Sequence, residues 1–396
     1  MIGEEKFYTI LLTSDGQVKS FESPISSDEF DKKVLKFYAL LRSPSYDPRP
    51  LGKELYNIII KPLRSELRKK NIKTIMWRLD GNLRYIPMSA LFNGKKYLIE
   101  EFQNVLFTRS DTERILKGVT ANWTGTGFGS SQKHIVDLLG DGEKILFSAL
   151  PGVASELNSI FEKDKKGKQI IPGEVILDAQ FTKDVFYRVM KKKQPIVHIS
   201  SHFSFRPGDD TRSFLLLGDG STITLREMKE REGLFRNVEL LTLSACNTAA
   251  IRADADGKEI DGFAELAQRL GAGAVMATLW QVSDASTPML MRSFYRNRQY
   301  HQGMTKTEAL QKAQLTLLRG NGKTKVLPIA RNGEKGSRIK VIVLPDSDRR
   351  NENRNVRGSP QIFLGKSEAP KFKVNKNMPF AHPYYWSPFV LTGNWR

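Results

Sequence analysis

The sequence predicts an α/β protein built on a mainly parallel central sheet, and three observations predict it. The runs PIVHISSH from Pro195, VELLTLSAC from Val238 and GAGAVMATLW from Gly271 are apolar without strict alternation. Strands buried on both faces read that way. A helix-like segment, Phe263–Leu270, lies between the second and third runs, as a parallel crossover requires. Strand-like and helix-like segments also alternate from Lys144 to Leu318.

In chain order, FYTILLT, Ser14-Asp15-Gly16 and QVKSF read as a hairpin over residues 7–21. Asp28–Leu41 has helical spacing, with Phe30, Val34, Leu35, Tyr38 and Leu41 on one face. Leu51–Lys69 is a second amphipathic helix in which Pro62 predicts a kink or break. Thr74–Leu79 is a strand, and LRYIPMSAL and YLIEEFQNVLFT are expected to continue its sheet. Residues 117–143 contain TGTGFGSS, which lacks the Gly-Lys-Ser/Thr ending of a phosphate loop and reads as a flexible linker. That linker would divide an N-terminal α/β supporting region, 1–116, from a second region, 144–396. In the second region KILFSAL is a strand, and a helix follows Pro151-Gly152. VILDAQFTKDVFYRVM gives a short strand and a helix capped by Thr182 or Asp178. Leu215–Leu217 and Thr222–Leu225 form a hairpin about Gly218-Asp219-Gly220, residues 285–296 form a helix, and Thr305-x-x-Glu308 opens the last helix through Leu318.

A single cysteine excludes an internal disulfide and a Cys-rich zinc site, and it fits a reducing cytoplasm. No run approaches the ~18 apolar residues of a membrane span. The first residues lack the basic start of a signal peptide. A cytoplasmic protein without membrane contact is therefore expected. The formal net charge is +19, and residues 319–376 hold fifteen Lys and Arg against five Asp and Glu. This stretch reads as a basic insertion of little fixed structure, able to attract polyanions nonspecifically. Its only ring residues are Phe363 and Phe372, too few for a base-stacking platform.

Ligands of parallel sheets gather outside the carboxyl ends of the strands. His202 and Cys246 each stand just past such an end, and Cys246 is the only thiol in the chain. An imidazole and a thiol at neighbouring strand ends are the minimum parts of a cysteine nucleophile site, which needs no metal or cofactor. Of the two histidines in VHISSH, His198 lies among β-branched neighbours and reads as a core residue, which leaves His202 as the acid/base. A third residue orienting the histidine is not evident. Trp280 and Asp284, beyond the third strand, are candidates for lining the cleft, and Asp284 suits equally the N-cap of the helix after it.

Several blocks together resemble the CHAT family of caspase-like and separase-like cysteine peptidase domains, common in bacteria. They are LDGNLRYIPMSALFNGKKYLIEEF, LPGVASEL, VHISSH, SFLLLGDG, LLTLSACNTA, GFAELAQRLGAGAVMATLW and HPYYWSPFVLTGNWR, in order over nearly the whole chain. The resemblance implies a caspase-like three-layer sandwich, with 144–396 catalytic and 1–116 a pseudo-protease-like support. It implies a His202–Cys246 dyad that cleaves a protein or peptide substrate, with the backbone N–H groups of Cys246 and Phe203 holding the oxyanion. Family members commonly carry glycine where Phe203 stands, so this residue is expected to alter the pocket's shape. Relatives that prefer arginine or lysine carry an Asp two residues before the cysteine; here that residue is Ser244, which disfavours a basic pocket of that type. Such domains often work with TPR-type or other sensors, and no 34-residue repeat is visible here, so a sensor is expected to be either absent or supplied by a regulatory partner. The competing reading is a catalytically silent relative that serves as a protein-interaction module. Retention of both His202 and Cys246 speaks against it.

Overall fold

The protein was analysed as a computed structural model that describes residues 5–108, 122–137, 144–163, 167, 169–192, 194–206, 208–244, 258–280, 282–320 and 369–396. The chain opens with the hairpin β1 (Phe7–Leu12) and β2 (Val18–Ser23). Helix α1 (Ser27–Leu41) follows, its first turn closed by the Ser26 hydroxyl accepting from the Glu29 N–H. The second amphipathic stretch divides as Pro62 requires: α2 (Arg49–Ile59), a 3-10 turn at Lys61–Leu63, then α3 (Arg64–Lys69). Two short strands, β3 (Thr74–Trp77) and β4 (Gln103–Leu106), end the N-terminal part.

LRYIPMSAL and most of YLIEEFQNVLFT do not extend the sheet as expected. They fold as 3-10 turns at Gly81–Tyr85, Met88–Ala90 and Leu98–Glu100, and only Gln103–Leu106 pairs as a strand. Pro87 interrupts the first run. Leu83, Tyr85, Ile86, Met88 and Leu91 are all buried, so no face alternates as a strand would.

The second part contains β5 (Gly125–Gly129), β6 (His134–Asp137), β7 (Lys144–Phe147), α4 (Gly152–Phe161), β8 (Gly173–Leu177) and α5 (Lys183–Met190). Then come β9 (Ile196–Ser200), β10 (Phe203–Ser204), β11 (Phe214–Leu216), β12 (Thr222–Thr224), α6 (Leu225–Lys229) and β13 (Leu240–Leu243). The chain closes with α7 (Lys258–Arg269), β14 (Ala274–Thr278), α8 (Thr287–Tyr300), α9 (Lys306–Arg319), α10 (Pro383–Trp386) and β15 (Phe389–Gly393). Thr182, rather than Asp178, caps α5 by accepting from the Val185 N–H.

Eight strands form one sheet in the order β3-β4-β15-β14-β13-β9-β5-β8. Among the described residues the one antiparallel pairing in this sheet is β14 with β15, and β15 also pairs with β4, so the aromatic end of the chain joins the N-terminal strands to the rest. Apolar residues of α4 and α8, among them Leu157, Phe161 and Phe294, cover one face. Phe186 of α5 and Leu266 and Ala267 of α7 cover the other. The architecture is thus a three-layer α/β sandwich with a mainly parallel sheet.

The linker expected over 117–143 is overturned where it is described. Gly125–Gly129 is a fully buried strand of the main sheet, second from its β8 edge and paired with β9 and β8. Its glycines answer close packing: a Cβ on Gly125 would lie 2.2 Å from the Ile196 carbonyl, and one on Gly127 would meet Phe161 and Leu157 of α4 at about 3 Å. KILF is a strand as expected, and it pairs antiparallel with β6 apart from the main sheet. Within the basic insertion, residues 321–368 lie outside the described residues. Its expected end at Lys376 is too late, however: the Phe372 N–H donates to Ser45, the Asp47 N–H donates to Pro370, and the Phe372 ring packs on His382 at 4.7 Å. Among the described residues no helix is long and apolar enough to cross a membrane.

Candidate active site

Strand β9 ends at Ser200 because the next residues turn to β11. The Ser201 hydroxyl donates to the Leu216 carbonyl at 2.6 Å, and the His202 carbonyl accepts from the Leu216 N–H at 2.9 Å. His202 is thereby fixed just past the carboxyl end of the strand. Its Nε2 lies 2.8 Å from the Ser148 carbonyl oxygen. A carbonyl only accepts, so Nε2 carries the hydrogen and Nδ1 keeps its lone pair. The imidazole also packs on the Phe147 ring at 5.1 Å. Burial pulls its pKa below the ordinary histidine value, against the opposing effect of the Ser148 carbonyl and with a small contribution from His134. The ring is therefore a neutral base at pH 7.

His198 has a different fate. It is fully buried, with Nε2 3.0 Å from Glu156 Oε1 and Nδ1 3.0 Å from the Tyr295 hydroxyl. The Ser200 hydroxyl donates to the other Glu156 oxygen at 2.8 Å, and the Tyr295 hydroxyl lies 2.9 Å from Thr242 Oγ1. Burial holds the Tyr295 phenol protonated well above its usual range. Both ring nitrogens of His198 are thus engaged, and the residue braces α4 and α8 against the sheet.

A cleft of about 190 Å³ opens beside His202, lined among others by Ser148, Glu156, Ser244, Asp284 and Thr287. Ser244 stands past the end of β13, the strand next to β9, and its N–H donates to the Ile199 carbonyl at 2.8 Å. Asp284 does not cap α8, whose N-cap is Ser286 without a side-chain bond. Its carboxylate instead accepts from the Gly152 N–H at the start of α4. Burial raises its pKa, the Gly152 bond opposes this, and the charge of Glu156 adds to the rise. His202, Ser244 and Asp284 therefore share one cleft.

Two of the expected pocket residues lie elsewhere. The Phe203 side chain is buried on the α5 and α7 side of the sheet, its ring 4.7 Å from Phe263, so it packs the core instead of shaping the cleft. Trp280 is buried against Tyr38 at 6.2 Å, and its indole N–H donates to the Tyr384 carbonyl. It anchors the aromatic C-terminus. Cys246 and the residues after it, to 257, lie outside the described residues. Among those described, no group of His, Cys, Asp or Glu is arranged to hold a metal.

Sequence reasoning missed the Ser148 carbonyl, which has no side-chain signature. Glu156 was legible in principle, since it falls three residues after Val153 and four before Ile160, on the apolar stripe of α4.

A protein-family model described as the CHAT domain matches residues 49–394, from the start of α2 to β15. No curated protein matches the chain.

Proposed function

The chain belongs to the CHAT domain family, a caspase-like, peptidase-related family, and on that premise we propose that it is a cysteine endopeptidase using Cys246 and His202. The observation that carries this reading is the setting of His202. Its Nε2–H is anchored on a backbone carbonyl, its Nδ1 is unprotonated, and it stands at the strand end neighbouring Ser244, two residues before Cys246 in sequence. In this mechanism His202 takes the thiol proton, and the thiolate sulfur bonds to the carbonyl carbon of the scissile peptide. Backbone N–H groups stabilise the oxyanion. Collapse of the tetrahedral intermediate breaks the C–N bond, and His202 returns its proton to the leaving amine. Water then attacks the thioester, releasing the acid and restoring the thiol. The regulatory partner and a reducing, cytoplasmic setting belong to the same proposal, since a lone nucleophilic thiol must be kept reduced and controlled.

The test is covalent labelling by electrophilic peptides. Wild-type protein should be modified at Cys246, and His202→Ala should lose that modification while remaining folded. Because the two groups act as one unit, the double variant should turn over substrate no more slowly than either single variant. Proteolysis that persists in Cys246→Ala would refute the proposal.

A further inference from the structure

The antiparallel pair β6–β7 carries apolar side chains on both faces, yet only one face packs on the protein. The inner face sets Val136 and Phe147 against Phe214 and Leu216 of β11. On the outer face Ile135 and Leu146 stand directly opposite each other, 62% and 58% exposed. Single exposed aliphatics are ordinary, but a cross-strand pair forms a patch. Asp137 and Lys144, next along the same face and exposed, give it a charged border. Leu146 also lines the cleft beside His202, together with Leu150, Pro151 and Val282. It stands two residues, at most ~7 Å of chain, before Ser148, whose carbonyl holds the histidine. The patch therefore continues an apolar wall of the cleft outwards.

Sheet order gives the patch a side. Strand β9, which ends before His202, has β13 on one flank and β5 on the other, and in sequence Cys246 follows β13. The pair β6–β7 rises from the end of β5, where the Leu150 N–H donates to the Ser131 carbonyl at 2.9 Å. Passing from β13 to β9 to β5 thus leads from the thiol's strand to the histidine and on to the patch. In the mechanism above His202 gives its proton to the leaving amine, so the segment after the scissile bond lies on the histidine's side of the thiol. Resting on that peptidase reading, we infer that the Ile135–Leu146 face is a subsite for an aliphatic side chain of the substrate after the scissile bond. An extended chain advances ~3.3 Å per residue, which sets that side chain within about four residues of the bond. Covering the pair removes apolar surface from water, a gain that a charged side chain would not provide.

The experiment digests a proteome-derived peptide library and reads both sides of every cut by mass spectrometry. Acyloxymethyl-ketone peptides ending in arginine, leucine or aspartate report on Cys246 in parallel. Wild type is compared with Ile135→Thr, Leu146→Thr and the double variant, since threonine keeps strand preference and removes most of the apolar surface. Wild-type sites should be enriched about 3- to 10-fold in Leu, Ile, Val or Met at one position after the cut. Each single variant should lower that enrichment, and the double variant should bring it close to background with the preference before the cut unchanged. A purely structural role for the pair would lower stability and leave the enrichment in place. An aliphatic preference that survives in the double variant, lies before the cut or is absent from wild type would overturn the inference and leave the peptidase reading intact. Labelling of Cys246 without any Cys246-dependent cut would retain the thiol site and overturn the inference. Absence of both labelling and cutting in folded protein overturns both readings.

Discussion

His382 should make stability fall with acid in a window that its surroundings define. It is 1% exposed and caps α10. Its Nε2–H donates to the Tyr46 carbonyl at 2.9 Å, and its Nδ1 accepts from the Tyr384 N–H at 3.0 Å. Both nitrogens are satisfied only in the neutral ring, and a proton on Nδ1 would face the Tyr384 N–H directly. Burial pulls the pKa down to about 4, a fall that the Tyr46 carbonyl and Asp47 resist and Arg49 assists. The unfolded chain takes up the same proton near pH ~6.5. Folded pKa below unfolded pKa means that this contribution is complete above pH ~6.5 and is lost as pH falls towards 4. At about 1.4 kcal/mol per pH unit, the loss comes to roughly 3 kcal/mol. The assay is urea unfolding of wild type and His382→Asn between pH 7.5 and 4. Asparagine keeps an N-cap acceptor but does not titrate. The stability difference between the two proteins should change by about 3 kcal/mol across that range, against wild type at the acid end. A difference independent of pH would show that His382 ionises in the fold as freely as in the unfolded chain, and the reasoning would be wrong.

Two further outcomes follow from the same geometry. Gly125→Ala sets a Cβ against the Ile196 carbonyl, which cannot rotate away, and should cost at least the 1–3 kcal/mol typical of overpacking; denaturant midpoints within experimental error of wild type would contradict the close β5–β9 approach. His202→Ala should abolish turnover on the order of 10⁶-fold while His198→Gln lowers stability and keeps measurable activity, and the acid limb of kcat/KM should lie below pH ~6.5 because burial depresses His202. Loss of activity in a folded His198→Gln protein, with His202→Ala still active, would reverse the two roles.

The sequence by itself determined the elements whose neighbours in the chain explain them. Strands β9, β13 and β14 are apolar on both faces because helices cover both faces, and that burial is written in every residue. The division between His198 and His202 was legible for the same reason, since one sits within such a run and the other after it. Helix α1 announced itself through periodicity, and α5 and α9 through the hydroxyl caps Thr182 and Thr305. Only the tertiary structure decided that Gly125–Gly129 is a buried strand of the main sheet. Its glycines signal a loop locally, yet they are there because Ile196, Leu157 and Phe161 occupy the space a side chain would need. The same holds for β15, which inserts between β14 and β4 after a long excursion of the chain, and for Phe203 and Trp280, whose packing partners lie far away in sequence. The cleft was the least legible part. Its histidine is oriented by a backbone carbonyl, and Thr287, at the start of α8, joins it from some 80 residues further along the chain; of the cleft residues after β14, only Asp284 is suggested by its position past the strand end. A sequence pattern reports each residue's own periodicity and burial. Which distant group it meets is fixed only when the sheet order brings the strand ends side by side.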